Sequence, residues 1–180
     1  MSGFHETLAE AGEDGSALSN TTTATSLLPA ARKVYLPAGF FDKVGRRILI
    51  RAAGRMSTAG SSPGTWTWEV RFTGASQVTV FSGGASATLA TSASNVSWLL
   101  ELELAARVIG TSAQLIGVGK FSAASLSTSN PSMMLPASSP AVGTAFDATV
   151  AQLVDLYGTW SAASASNSIT LHDYRLTVVY

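Results

Sequence analysis

The stretch SWLLELELAARVIG, residues Ser97 to Gly110, decides between two folds. Leu, Glu, Ala and Arg are good helix formers, so propensity taken alone favours a helix. Alternation opposes it. Trp98, Leu100, Leu102, Leu104, Ala106 and Val108 share one parity and are all apolar, whereas Glu101, Glu103 and Arg107 fall on the other with Leu99, Ala105 and Ile109. At about 100° per residue a helix sets the two glutamates about 200° apart and drives one towards the core. A strand keeps both on one face, and the stretch reads as a long half-buried strand.

The same period recurs on either side. TWTWEVRFT, Thr65 to Thr73, puts Trp66, Trp68, Val70 and Phe72 on one side and Thr65, Thr67, Glu69 and Arg71 on the other. RRILIRAAGRMS, Arg46 to Ser57, has Ile48 and Ile50 on one face and Arg47, Arg51 and Arg55 on the opposite parity. SLL and KVYL read as short strands, as do SQVTVFS and SATLATS on either side of Gly83-Gly84. SAQLIGVGKFS pairs with the opening stretch through a hairpin at Gly110-Thr111. ATVAQLVDL is ambiguous between helix and strand. SITLHDYRLTVVY changes parity between Leu171 and Leu176, which places a bulge near His172 to Arg175 in a paired final strand. Between Ala123 and Ala145 regularity stops, and Met133, Met134 and Leu135 sit mid-loop, either as a lid on the core or as an exposed contact. Turn signals every ~8–12 residues define an all-β antiparallel sandwich, with a jelly roll the expected variety.

Residues 1–24 read as an N-terminal arm and residues 25–180 as the sandwich domain. Within the arm, HETLAEAGEDG suits two helical turns, with Thr7 as N-cap, Glu10 three residues on and Gly12 as stop; SALSNTTTAT reads as extended linker. The arm holds Glu6, Glu10, Glu13 and Asp14, and residues 1–31 contain no Lys or Arg. The remainder holds 11 basic and 7 acidic residues. An acidic arm on a mildly basic body is expected to dock on it, within or between subunits.

The chain has 180 residues, 46% hydrophobic and 12% charged, and zero net charge. That balance supports a sizeable core and gives no global attraction to nucleic acid or to an anionic membrane. No Cys is present, which excludes disulfides, thiolate metal sites and cysteine nucleophiles. The first residues lack the pattern of a secretory signal, and no apolar run approaches the ~20 residues of a membrane helix.

Glu101 and Glu103 on one strand face stand ~7 Å apart, near the spacing used in two-carboxylate glycoside hydrolysis. Jelly-roll glycosidases carry their acids on one strand as Glu-x-Asp-x-(x)-Glu. Here Glu101-Leu-Glu103-Leu-Ala lacks the central Asp, and Ala105 and Ala106 offer no third acid. A pair of strand glutamates answered by Arg or Lys on a neighbour is the commoner arrangement. His172 and Asp173 are adjacent on a strand, point to opposite faces and cannot form a relay. No nucleophile elbow, phosphate loop or metal-spaced cluster is present. Trp66 and Trp68 share parity with Val70 and Phe72, which favours core over a sugar platform. No catalytic, cofactor-binding or metal-binding residue is expected. Arg47, Arg51 and Arg55 form the one basic stripe, suited to subunit contacts with the arm or with Glu69, Glu101 and Glu103.

RRILIRAAGRMST, SWLLELELAARVIGTSAQLIGVGKFS and FDATVAQLVDLYGTWSAASASNSITLHDYRL together resemble a group of tailed-bacteriophage structural proteins. Those proteins follow the order R-I-x-A-x-G-R-x-S-T, W-x-L-E-x-E-x-x-x-R-x-x-G-T, G-x-G-x-F and W-S-x-A-S-x-x-N-x-I-T. The resemblance covers most of residues 26–180 and not the arm. It implies a β-sandwich module of minor virion proteins: capsid decoration proteins, head fibres and tail-fibre tips. It implies no catalytic residue and no cofactor. The resulting expectation is a capsid decoration protein of the virion, assembled in the host cytoplasm, that binds the major capsid protein or other virion proteins and itself, with a homotrimer implied by the resemblance. A tail-fibre or receptor module binding carbohydrate is the alternative, and a glycosidase the remote one. The expected assembly contacts are Glu6, Glu10, Glu13, Asp14, Arg47, Arg51, Arg55, Met133, Met134 and Leu135.

Overall fold

The computed structural model describes residues 5–126 and 131–179. The opening stretch is a strand, β8 (Val96–Val108), in a chain of twelve: β1 (His5–Ala11), β2 (Leu18–Ser19), β3 (Thr25–Ser26), β4 (Val34–Leu36), β5 (Arg47–Ser57), β6 (Trp66–Thr73), β7 (Gln77–Ala85), β9 (Gln114–Ala123), β10 (Ser132–Leu135), β11 (Gln152–Trp160) and β12 (Ser168–Val179). Every pairing between them is antiparallel.

One sheet runs β1-β12-β5-β8-β9-β10, with β2 also on β12; the other runs β3-β11-β6-β7, with β4 also on β11. The partners β1 with β12, β4 with β11, β5 with β8 and β6 with β7 are nested in sequence. Nested pairing split between two sheets is the jelly-roll arrangement. Strands β9 and β10, inserted between β8 and β11, widen the first sheet.

The alternating apolar positions meet between the sheets. Trp66, Trp68, Val70 and Phe72 of β6 are buried, as are Trp98, Leu100, Leu102, Leu104 and Ala106 of β8. Trp68 is the hub of an aromatic cluster, with ring centroids 5.2 Å from Trp66, 5.0 Å from Trp98 and 5.5 Å from Phe121; Trp160 lies 4.9 Å from Trp66. The tryptophans are therefore core and not a surface platform. Val108 departs from the pattern: it is 42% exposed, where β8 leaves the sandwich.

Several expectations are corrected. The segment HETLAEAGEDG is not helical: His5–Ala11 is a strand on the open edge of β12, with a register shift between Thr7 and Ala9. An exposed sheet edge supplies backbone partners that two isolated helical turns lack. Much of the segment read as an arm is thus built into the first sheet. Gly83-Gly84 does not separate two strands. β7 runs through it, with register shifts in its pairing to β6, and Gly84 takes φ +69°, open to glycine at little cost. SATLATS contributes only a bridge from Leu89 to Leu126. The second half of ATVAQLVDL, from Gln152, resolves as the start of strand β11, because its register against β6 buries Val154 and Leu156; Ala148 to Ala151 form the turn before it. The expected bulge in the last strand is present, between Leu171 and Asp173.

The connection read as structureless is packed. β10 pairs with β9, and the chain beyond it covers the free edge of β7 through Ala137 N–H to Gly83 O at 2.8 Å and Thr144 N–H to Thr79 O at 3.3 Å. Residues 127–130 of that connection lie outside the described residues.

Candidate functional site: the outer face of the seven-stranded sheet

The parity that buries Leu100, Leu102 and Leu104 turns Glu101 and Glu103 outward, and the register aligns them with their neighbours. One row crosses six strands: Met134, Lys120, Glu101, Arg51, Arg175 and Glu10, from β10 to β1. The next row is Val118, Glu103, Leu49, Thr177 and Thr7. Between them lies a shallow groove of about 480 Å³, with half-buried Leu49 and exposed Val118 and Met134 as its aliphatic lining and Arg51, Glu101 and Lys120 among its charged groups.

Most charges here are matched within the chain. Arg47 Nη1 donates to Glu103 Oε1 at 2.7 Å, and Arg51 Nη1 donates to Asp173 Oδ2 at 2.8 Å. Arg175 Nε lies 3.1 Å from Glu10 Oε1. Glu101 stands in register between Arg51 and Lys120. All are substantially exposed, so each pair contributes little to stability and mainly fixes side-chain direction.

The acidic N-terminal segment docks on its own body. Besides Glu10 on Arg175, Glu13 pairs with Arg32 at 3.0 Å, and Asp14 meets His172 Nδ1. Glu6 is exposed on β1, in register with Val178. His172, at the β12 bulge, thus engages Asp14, while Asp173 engages Arg51. Of the arginine stripe, Arg51 lines the groove and Arg47 reaches it only through Glu103; Arg55 is exposed further along, opposite Ser97. Glu69 is on the other sheet, bound by Arg71 at 2.6 Å, whose guanidinium stacks 4.3 Å from the Tyr157 ring.

The three residues of β10 separate. Met134 is 68% exposed and lines the groove, Met133 is half-buried against the core, and Leu135 is 3% exposed. Leu135 cannot meet a partner, because strand alternation turns it between the sheets. Conversely, Leu49, Lys120, Val118, Arg175 and Thr177 belong to the face although sequence reasoning did not select them. Their parity was readable, but their grouping depends on cross-strand register, which no single segment encodes. No group of three or more His, Cys, Asp or Glu side chains is placed to hold a metal ion among the described residues.

The fold and face define a jelly-roll module with a sheet surface of paired charges and aliphatic side chains. No protein-family model matches the chain, and no curated protein matches it. Among solved structures it is similar to the CBM2 module of the evolved Dit of Lactobacillus casei BL23 phage J-1: 7% identity over 99% of this chain and 98% of that one, TM-score 0.38. It is also similar to the kappa-carrageenase of Pseudoalteromonas carrageenovora, described in complex with a kappa-carrageenan oligotetrasaccharide: 10% identity over 76% of this chain and 66% of that one, TM-score 0.27. Overlaps of this size leave the chemistry of the site to its own residues.

Proposed function

We propose that this protein is a non-enzymatic structural component of a bacteriophage virion, a capsid decoration protein that attaches through protein–protein contacts. The observation that carries the reading is the composition of the outer-face groove. Its lining sets Leu49, Val118 and Met134 among Arg, Lys and Glu side chains, aliphatic and charged groups that a complementary protein surface can match. Saccharide platforms instead present aromatic rings, and here all four tryptophans are buried. The order of sequence motifs shared with phage structural proteins supports the same reading.

The test is proteomic and visual. Virions from the source strain are purified, their proteins identified by mass spectrometry, and the particles labelled with gold-conjugated antibody against the chain. Label on the head is the expected result. Absence of the protein from particles overturns the proposal.

A second reading, a tail-borne receptor or carbohydrate module, draws on the other sheet. Tyr35 is 65% exposed on β4, in register with Leu153, and Tyr157 stacks with Arg71 on the outer side. Label on the tail tip together with a positive glycan array would favour it.

A further inference from the structure

The proposed function makes the outer face of the seven-stranded sheet a protein-docking surface; its occupant can be argued from the charges. We infer that this face binds a second copy of the same chain, the two related by a twofold axis that runs along β5 in the plane of contact. The inference rests on the proposed function only for the face being a protein interface.

A twofold axis along β5 lays each row of one copy against the same row of the other, reversed. Reversal of the central row lays Lys120 and Glu101 of one copy over the Glu10 and Arg175 of the other, a pair already joined at 3.1 Å, so that four opposite-charge juxtapositions cross the axis. Arg51 meets its own counterpart, but each guanidinium already carries Asp173 at 2.8 Å, so two neutralised pairs meet. In the next row Leu49 meets Leu49 on the axis, and Val118 meets Thr7. An isologous contact requires such self-complementarity. About an axis on β5 the five strands from β9 to β1 overlap; ~4.8 Å apart, over about seven residues at ~3.3 Å, they give roughly 550 Å², a small interface beside the ~800 Å² per partner of the standard size.

The chain has no cysteine, which makes the geometry directly testable by thiol cross-linking. The full-length protein is examined by sedimentation equilibrium up to about 100 μM, a range that detects dimers of micromolar Kd. A dimer is expected, and Leu49→Arg, at a half-exposed outward position, should weaken it at least ~30-fold with unchanged circular dichroism. In parallel, Leu49→Cys is treated with a bismaleimide long enough to bridge sheets packed ~10 Å apart. Leu49→Cys should cross-link to itself. Val118→Cys alone should not, whereas a mixture of Val118→Cys and Thr7→Cys should. A monomer, a trimer, or a dimer in which Leu49→Cys fails to cross-link overturns the inference. These outcomes separate from the functional proposal: a monomer found on virions defeats only the inference, and a cross-linked dimer absent from virions defeats only the function.

Discussion

Arg47 and Glu103 meet diagonally across β5 and β8, guanidinium Nη1 to carboxylate Oε1 at 2.7 Å, on the outward side of a sheet whose inward side is wholly apolar at this level. The contact ties one of the two strand glutamates to the basic stripe. It also sets what the pair can do. Glu103 is committed to a cation, and Glu101 lies between two more in register, so the carboxyls are arranged as members of a charge lattice.

If that arrangement is structural, Glu103→Gln should shift unfolding free energy by less than ~1 kcal/mol, because both side chains are well exposed. Glu101→Gln should be equally mild. Urea denaturation checks both. A polysaccharide hydrolysis assay on the parent protein, with Glu101→Gln as control, should read zero throughout; activity abolished by Glu101→Gln would restore the glycosidase reading.

Tyr174 is buried on β12, and its hydroxyl has no hydrogen-bond partner among the described residues. Burial, with a smaller contribution from the Asp155 charge, pushes its ionisation above the ordinary tyrosine range. A phenol held neutral and unpaired costs desolvation, so Tyr174→Phe should be neutral or stabilising by up to ~1 kcal/mol. The thermal midpoint checks it, and a clear loss of stability would mean that the hydroxyl is bonded.

Gly158 on β11 is a packing requirement. A Cβ built there lies 1.9 Å from Cζ2 of Trp66, which is itself held against Trp68 and Trp160. Gly158→Ala should cost ~1–3 kcal/mol through overpacking. Gly12→Ala, with nothing within 4 Å of the added carbon, should be close to neutral. Calorimetry of both variants tests the contrast.

Asp147 accepts hydrogen bonds from Thr149 Oγ1 at 2.6 Å and Thr149 N–H at 2.8 Å. The side-chain bond first and the backbone bond second hold its carboxyl below the ordinary aspartate value. A depressed folded-state value means that the stabilisation is present above the unfolded-state value and is lost as pH falls through the folded one. Thr149→Val should raise the Asp147 midpoint in an NMR titration; an unchanged midpoint would remove the side-chain bond as its main cause.

How much of this was legible in the sequence follows from the range of the interactions. Period-2 alternation at Trp66 to Phe72 and Trp98 to Ala106 is local, and it specified the strands and the sandwich. The bulge near His172 was visible as a parity change within one segment. The strand at His5–Ala11 was not, because its local signals suit a helix and the open edge of β12 overrides them. The groove was half visible. Glu101, Glu103, Arg47 and Arg51 announce an outward face, but Lys120 joins them only through the exact register of the β8–β9 hairpin, and Arg175 only through a pairing with β5 far apart in sequence. Met134 and Leu135 sit in a segment with no readable period, so their opposite fates came from pairing with β9.

The remaining long-range device is an ion pair that closes the edge of the five-stranded sheet. Asp155 of β11 is 3% exposed, accepts from Ser26 Oγ at 2.7 Å, and lies 2.6 Å from Lys33 Nζ. Removal of the cation leaves a buried carboxylate with one neutral partner. Full burial would make that loss ~3–5 kcal/mol. Because the Lys33 side chain keeps 22% exposure, Lys33→Met should cost less, about 2–3 kcal/mol. Asp155→Asn keeps an acceptor for Ser26 and removes the charge, so the double variant Lys33→Met with Asp155→Asn should recover part of the loss. Urea midpoints at constant m-value measure the cycle. Additive losses in the double variant would mean that Lys33 acts through its aliphatic stem and not through its charge.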